Sequence, residues 1–145
     1  MILPDVNVLI YAFRQDAPHH STCKPLVESL VSGDIRFGLS PLAMSAVVRI
    51  TTNPRSYQEP STLEEVFRYG DYLTGSPNCQ IVSPGERHWD IFKRLCIETN
   101  TRGPRVTDAW YAALAIEWGC EWITLDRDYA RFPGLKWRPP HAPGP

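Results

Sequence analysis

Short apolar runs of three to five residues alternate along this chain with longer segments whose apolar residues recur at helical spacing, and this alternation constrains the fold most. A run that short suits a buried strand, whereas recurrence at i, i+3 and i+4 builds one apolar face on a helix. Strands alternating with helices throughout a chain indicate an α/β domain with a mostly parallel sheet and helices on both faces.

The first apolar run is residues 1–3, and Val6, Leu9, Ile10 and Phe13 follow at helical spacing. Residues 20–32 carry Cys23, Leu26, Val27, Leu30 and Val31 on a helical face, with Gly33 as the expected stop. Residues 35–39 alternate as a strand does. Ser40 then supplies an N-cap, and Pro41 fits the first helical position, which predicts a helix to about Thr52. Ser61 and Glu64 stand at capping-box spacing and predict a helix over 61–74. Beyond it, 79–82 reads as a short buried strand and 86–99 as a helix with Trp89, Phe92, Leu95 and Cys96 on one face. Residues 107–118 read as an almost wholly apolar helix, and 121–125 as a strand ending at Asp126.

A length of 145 residues predicts one domain with a sizeable core, and 43% apolar with 21% charged residues is a globular composition. No apolar run approaches the ~18 residues of a membrane span, and the opening MILPDVNV lacks the basic start of a secretory signal. The four cysteines show no paired or zinc-like spacing, which predicts reduced thiols and a cytoplasmic protein. Fifteen basic against sixteen acidic residues give a formal charge of -1, against a generic nucleic-acid coat protein. Nine of the fourteen prolines punctuate the chain from Pro4 to Pro104, while the other five fall in 133–145. The expected organisation is a single domain over 1–138 and a flexible proline-rich tail over 139–145.

In open α/β sheets ligands bind beyond the carboxyl ends of the strands, and Asp5, Ser40 and Asp126 fall at such points. Asp5 has almost only apolar neighbours, so it needs a partner: it caps the following helix, or it ligates a hard cation. Asp108 opens the most apolar helix, where it complements the helix dipole or joins the same acidic group. Asp126 and Asp128 are turn formers or further members of that group. Three separated segments brought to one sheet edge would repel one another unless a metal or a cationic partner compensated. Magnesium, which binds through a few carboxylates, water and substrate phosphates, supports phosphodiester hydrolysis in such a site.

No histidine is placed beside a nucleophile: His19 and His20 precede a helix, His88 lies on one, and His141 is in the tail. The five tryptophans read as core or dimer surface, and Trp110, Ala113 and Leu114 share a helix face open to a second subunit. Basic residues are denser near the acids. Arg102 and Arg105 precede Asp108, Arg127 and Arg131 bracket the last acids, Lys136 and Arg138 follow, and Arg49 and Arg55 join them as candidates for holding a phosphate backbone.

The segments LPDVNVLIYAF, FGLSPLAMSAVVRITTNPR, SPGERHWDIFKRL, VTDAWYAALAIEWG and WITLDRDYARFPGLKW, in this order, resemble the PIN-domain family, specifically the VapC-type toxins of bacterial toxin–antitoxin pairs. The resemblance implies a PIN-like, Rossmann-like three-layer α/β/α sandwich. It also implies a magnesium-dependent endoribonuclease, with Mn²⁺ as a substitute, that acts on RNA, forms a homodimer and is neutralised by a cognate antitoxin. Asp5 and Asp108 match the family's principal metal-ligand positions, and Asp126 matches the acid after the last core strand, with Asp128 near enough to share or substitute for its role. Asn7 matches the polar residue of the opening motif, Ser40 matches the supporting hydroxyl, and Arg102, Arg105 and Arg127 stand where they would contact RNA.

One position departs from the pattern. The family's usual glutamate in the helix after the second strand falls at Ala46, and no Asp or Glu occurs between Ile35 and Gln58. Two readings follow: a site completed by substrate phosphate and water, or a PIN-like binding module of weak or no activity. A phosphotransferase using Asp5 as nucleophile is a third class, disfavoured because Asn7 stands where a second acid is expected and no glycine-rich phosphate loop follows the strand.

Overall fold

A computed structural model describes residues 1–140, so the tail expected over 139–145 lies from residue 141 onward, with His141, outside the described residues. Five short strands run β1 Ile2–Pro4, β2 Phe37–Leu39, β3 Cys79–Ile81, β4 Glu121–Ile123 and β5 Trp137–Arg138. They form one sheet in the order β3-β2-β1-β4-β5, and every pairing is parallel. Six helices connect them: α1 Val6–Phe13, α2 His20–Ser32, α3 Pro41–Thr51, α4 Leu63–Thr74, α5 His88–Thr99 and α6 Val106–Trp118. Helix α1 packs on both α2 and α3, α3 packs on α4, and α5 packs on α6. This is the α/β architecture expected from the alternation. The chain reverses its winding between β1 and β4, the point at which a crevice opens beyond the strand ends.

Helix limits follow from the caps. The Ser40 hydroxyl accepts the Ala43 N–H at 2.9 Å, and Pro41 begins α3. Helix α4 starts one residue later than the spacing of Ser61 and Glu64 predicts, because the sequence STLEE contains two overlapping boxes and the second one forms. Thr62 Oγ1 accepts the Glu65 N–H at 3.1 Å, and Glu65 Oε1 accepts the Thr62 N–H at 3.2 Å. Ser61 is engaged elsewhere: it is buried, and its hydroxyl accepts from the Arg14 guanidinium at 3.0 Å. Arg14 also donates to the Glu59 carbonyl at 2.8 Å and to both oxygens of Asp16, and it lies over the Tyr57 ring. One arginine thus fastens the end of α1 to the segment leading into α4.

Gly33 ends α2 in extended rather than left-handed backbone, and the reason for glycine is space. A Cβ there would lie 2.4 Å from the Ser29 carbonyl oxygen. Helix α5 begins at His88, two residues after the predicted start, because Glu117 of α6 takes the N–H groups of Gly85 and Arg87 and holds the preceding segment as a turn.

Three expectations need correction. Strand β3 is not buried: it is the edge of the sheet, and Ile81 is half exposed. Trp89 does not share the buried face of Leu95; it projects into solvent while Leu95 is fully covered. The α6 face containing Ala113 and Leu114 cannot meet a second subunit, because both residues are completely buried within the chain's own core. Trp110 packs instead against His88 and Tyr111. Strand β5, two residues in the proline- and glycine-bounded GLKWRPP, went unpredicted because so short a run shows no period.

Candidate active site

Beyond the carboxyl ends of β1 and β4 lies a cavity of about 190 Å³. Asp5, Val6 and Asn7 line it from the end of β1 and the start of α1; Ala46, Arg49 and Ile50 line it from α3. Thr107, Asp108 and Tyr111 of α6 complete the wall with Asp126 and Tyr129, which follow β4. Three acids separated by most of the chain therefore share one small recess. A larger recess, of about 500 Å³, opens beside Arg14, Asp16 and Glu65, but there the arginine is consumed by the structural contacts described above.

Asp5 is buried and occupies the N-cap position of α1, yet its side chain makes no capping bond. Its Oδ2 accepts instead from the Thr124 hydroxyl at 2.7 Å, and its own N–H donates to the Ile123 carbonyl at 2.8 Å, tying the end of β1 to β4. Burial pushes the carboxyl up to about 6. The Thr124 hydroxyl and the Val6 amide pull the other way, and the charges of Asp108 and Asp126 raise it further. The capping explanation for this residue is thereby replaced by membership of an acidic group.

Asp108 sits in the first turn of α6, half-buried. Tyr129 Oη lies 3.4 Å from its Oδ1 and Arg131 Nη2 lies 3.5 Å from its Oδ2, long contacts that orient the carboxylate weakly. Tyr129 is itself buried, and burial together with the neighbouring Asp5 and Asp108 charges drives its phenol far above its ordinary range, so it serves as a donor. Asp126 caps the 3₁₀ turn Arg127–Arg131: its Oδ1 accepts the Asp128 N–H at 2.9 Å, and its own N–H donates to Thr124 Oγ1 at 2.9 Å. Thr124 thus bridges two of the three acids.

The remaining candidates are distributed differently. Asn7 lies on the cavity wall. Ser40 does not line it; its hydroxyl caps α3, so its contribution is to fix the helix that carries Ala46 and Arg49. Asp128 turns outward and pairs with Arg105 at 3.0 Å, so it does not stand in for Asp126, and that pairing also occupies Arg105. Arg102 and Arg127 are exposed outside the cavity lining. The arginine on the wall is Arg49. Thr124 and Tyr129 were missed: a threonine two residues before an aspartate at a strand end is a local signal for side chain to backbone bonding, but a tyrosine in DRDYARF carries none.

The donor set is entirely oxygen, which suits a hard divalent cation, and the mutual repulsion at Asp5 is what such a cation would relieve. Among the described residues no three Asp, Glu, His or Cys side chains form a group that could hold a metal ion by themselves. The residues therefore fit a cation that draws part of its shell from water or substrate, and Ala46 contributes nothing to it.

Residues 2–135 match the PIN domain. The chain is 36% identical over 140 residues to VapC ribonuclease Mb2897 of Mycobacterium bovis, covering 97% of this chain and 95% of that one. It is 37% identical over 141 residues to ribonuclease VapC25 of Mycobacterium tuberculosis, covering 97% and 99%. Its fold is similar to VapBC2 from Rickettsia felis, solved bound to a DNA fragment from their promoter, with a TM-score of 0.70 at 15% identity over 96% of this chain and 98% of that one. Mycobacterium tuberculosis VapC20, a sarcin-ricin loop cleaving toxin, aligns with a TM-score of 0.67 at 11% identity over 90% and 93%.

Proposed function

Because the chain belongs to the PIN-domain family, and within it to the VapC ribonucleases, we propose that it is an endoribonuclease, the toxin of a toxin–antitoxin pair, neutralised by a cognate antitoxin. The observation that carries this reading is the convergence of Asp5, Asp108 and Asp126 on one cavity at the point where the sheet reverses its winding. Asp5 and Asp108, with Asp126, would hold Mg²⁺ or Mn²⁺, which at such a site supplies an activated water and stabilises the leaving oxygen of a phosphodiester.

The chain's own residues prepare that chemistry. Thr124 fixes the Asp5 carboxylate by donating its hydroxyl to Oδ2, and the same threonine accepts the Asp126 backbone N–H. Tyr129 and Arg131 each contact one oxygen of the Asp108 carboxylate. Apolar Val6 and Ile50 form part of the wall of the recess. No helix among the described residues is long and apolar enough to cross a membrane, and a cytoplasmic homodimer is part of the proposal.

Ala46 on the cavity wall favours one second reading, a PIN-like module that binds without cleaving. Purified wild type and Asp5→Asn, incubated with RNA and Mg²⁺ and followed by end mapping, test the choice. Wild type should cleave and the variant should lose activity by several orders of magnitude while remaining folded; equal cleavage by both would remove Asp5 from the site. Calorimetric titration of Mg²⁺ gives the complementary result, since a module without a site shows no difference between the two proteins.

A further inference from the structure

Arg49 lies on α3 one turn beyond Ala46, and both line the cavity that contains the three acids. Its situation differs from that of the other arginines nearby. Arg105 is paired with Asp128, and Arg131 reaches Asp108 and the carbonyl of Asp128. Arg49 makes no hydrogen bond or ion pair among the described residues, although it shares a small recess with three carboxylates. The buried Tyr111 hydroxyl feels both the Asp5 and the Arg49 charge, so the two opposite charges act on one wall of the same cavity.

Exposed on α3 at the recess and closing on none of its carboxylates, this permanently charged guanidinium contributes little to stability. It is well explained as a group reserved for an incoming anion. Hydrolysis of a phosphodiester places additional negative charge on the phosphoryl oxygens, and where two cations are bound they share it between them. Here α3 has alanine where a carboxylate could have helped hold a second cation, and one turn further along the same wall it presents a guanidinium. The planar fork of arginine offers two parallel N–H groups to two phosphate oxygens, a geometry that an ammonium cannot reproduce.

We propose that Arg49 binds a phosphate of the RNA at the cavity and takes the place, on the α3 wall, of a second metal ion. The inference rests on the nuclease reading above. It assigns substrate contact to a residue that composition and spacing ranked behind Arg102, Arg105 and Arg127.

The test uses the whole protein, as wild type, Arg49→Ala and Arg49→Lys, with a fluorescein-labelled single-stranded RNA carrying phosphorothioate linkages, read by anisotropy in Mg²⁺ across a salt series. Arg49→Ala should bind about tenfold more weakly, and the slope of log K against log salt should fall by about 0.7, the contribution of one phosphate contact on a single strand. Arg49→Lys should restore the slope and only part of the affinity. Titration with MgCl₂ alone should give Arg49→Ala the wild-type affinity and stoichiometry. Unchanged RNA affinity and slope in Arg49→Ala would overturn the proposal, and so would loss of Mg²⁺ binding in parallel with RNA binding, which would make Arg49 a support for the acids. Failure of the nuclease reading has a separate signature: wild type and Asp5→Asn then leave unmodified RNA equally intact, and the anisotropy series still decides the role of Arg49.

Discussion

At pH 7 the folded protein must hold the Asp5 carboxylate ionised although burial, Asp108 and Asp126 all oppose it. In the unfolded chain the same group ionises near 3.8, and in the folded one near 6. The folded state therefore binds the proton more tightly, so this residue favours folding at low pH and its contribution is lost as pH rises from about 4 to about 6. Above that window the penalty is constant, up to about 3 kcal/mol at about 1.4 kcal/mol per pKa unit. Asp5→Asn, the variant proposed to lose cleavage, should accordingly be more stable than wild type by about 1 to 3 kcal/mol at pH 7.5 without divalent ions, and the difference should vanish below about pH 4. Urea denaturation at both pH values checks this; a variant less stable than wild type at pH 7.5 would show that Asp5 is compensated without a cation. The conflict was legible from the sequence, since an acid among Ile2, Leu3, Val6 and Val8 has no polar neighbour in the chain except Asn7. Its resolution was not, because Thr124 lies 119 positions away and only the pairing of β1 with β4 brings it near.

Among the elements, α4 shows most clearly where local pattern stops being decisive. STLEE satisfies the capping-box spacing twice, and nothing within the segment chooses between Ser61 with Glu64 and Thr62 with Glu65. The choice is made by Arg14, whose guanidinium occupies the Ser61 hydroxyl from 47 positions away. Thr62→Ala should therefore destabilise the protein by about 1 kcal/mol through loss of the cap, seen as a lower urea midpoint with an unchanged slope, whereas Thr62→Ser should be nearly neutral. If Thr62→Ala left the midpoint where it is, the formed box would not be the one that matters in solution. The existence of each helix was legible because its periodicity is internal to it, although Trp89 on α5 departs from the face assigned to it. Their ends depend on distant partners, as the Glu117 contacts that delay α5 also illustrate.

For the molecule as a whole, cation binding should be visible as stability. A ligand that binds only the folded state at a hundred times its dissociation constant adds about 2.7 kcal/mol, which at this chain length is several degrees in Tm. Mg²⁺ should raise the Tm of wild type by that order and leave Asp5→Asn unmoved; equal shifts in both would place the ion elsewhere. The alternation of runs was enough to predict an α/β domain with parallel strands. The strand order was not contained in the alternation and is supplied only by the structure, because order depends on which helices cover which face. The formal charge of -1 likewise concealed a recess of three acids with one arginine on its wall, since a total says nothing of where charges meet.

The position of β1 in the middle of the sheet has a further consequence for the cell that makes this protein. β1, the earliest of the described strands in chain order, is flanked by β2, which follows soon, and by β4, which begins only at Glu121. The three acids are at positions 5, 108 and 126, so a ribosome must have passed residue 126 before they can meet. A nascent or prematurely terminated chain therefore carries no assembled acidic recess, and under the proposed function the cell meets an active nuclease only once translation has passed the last of them.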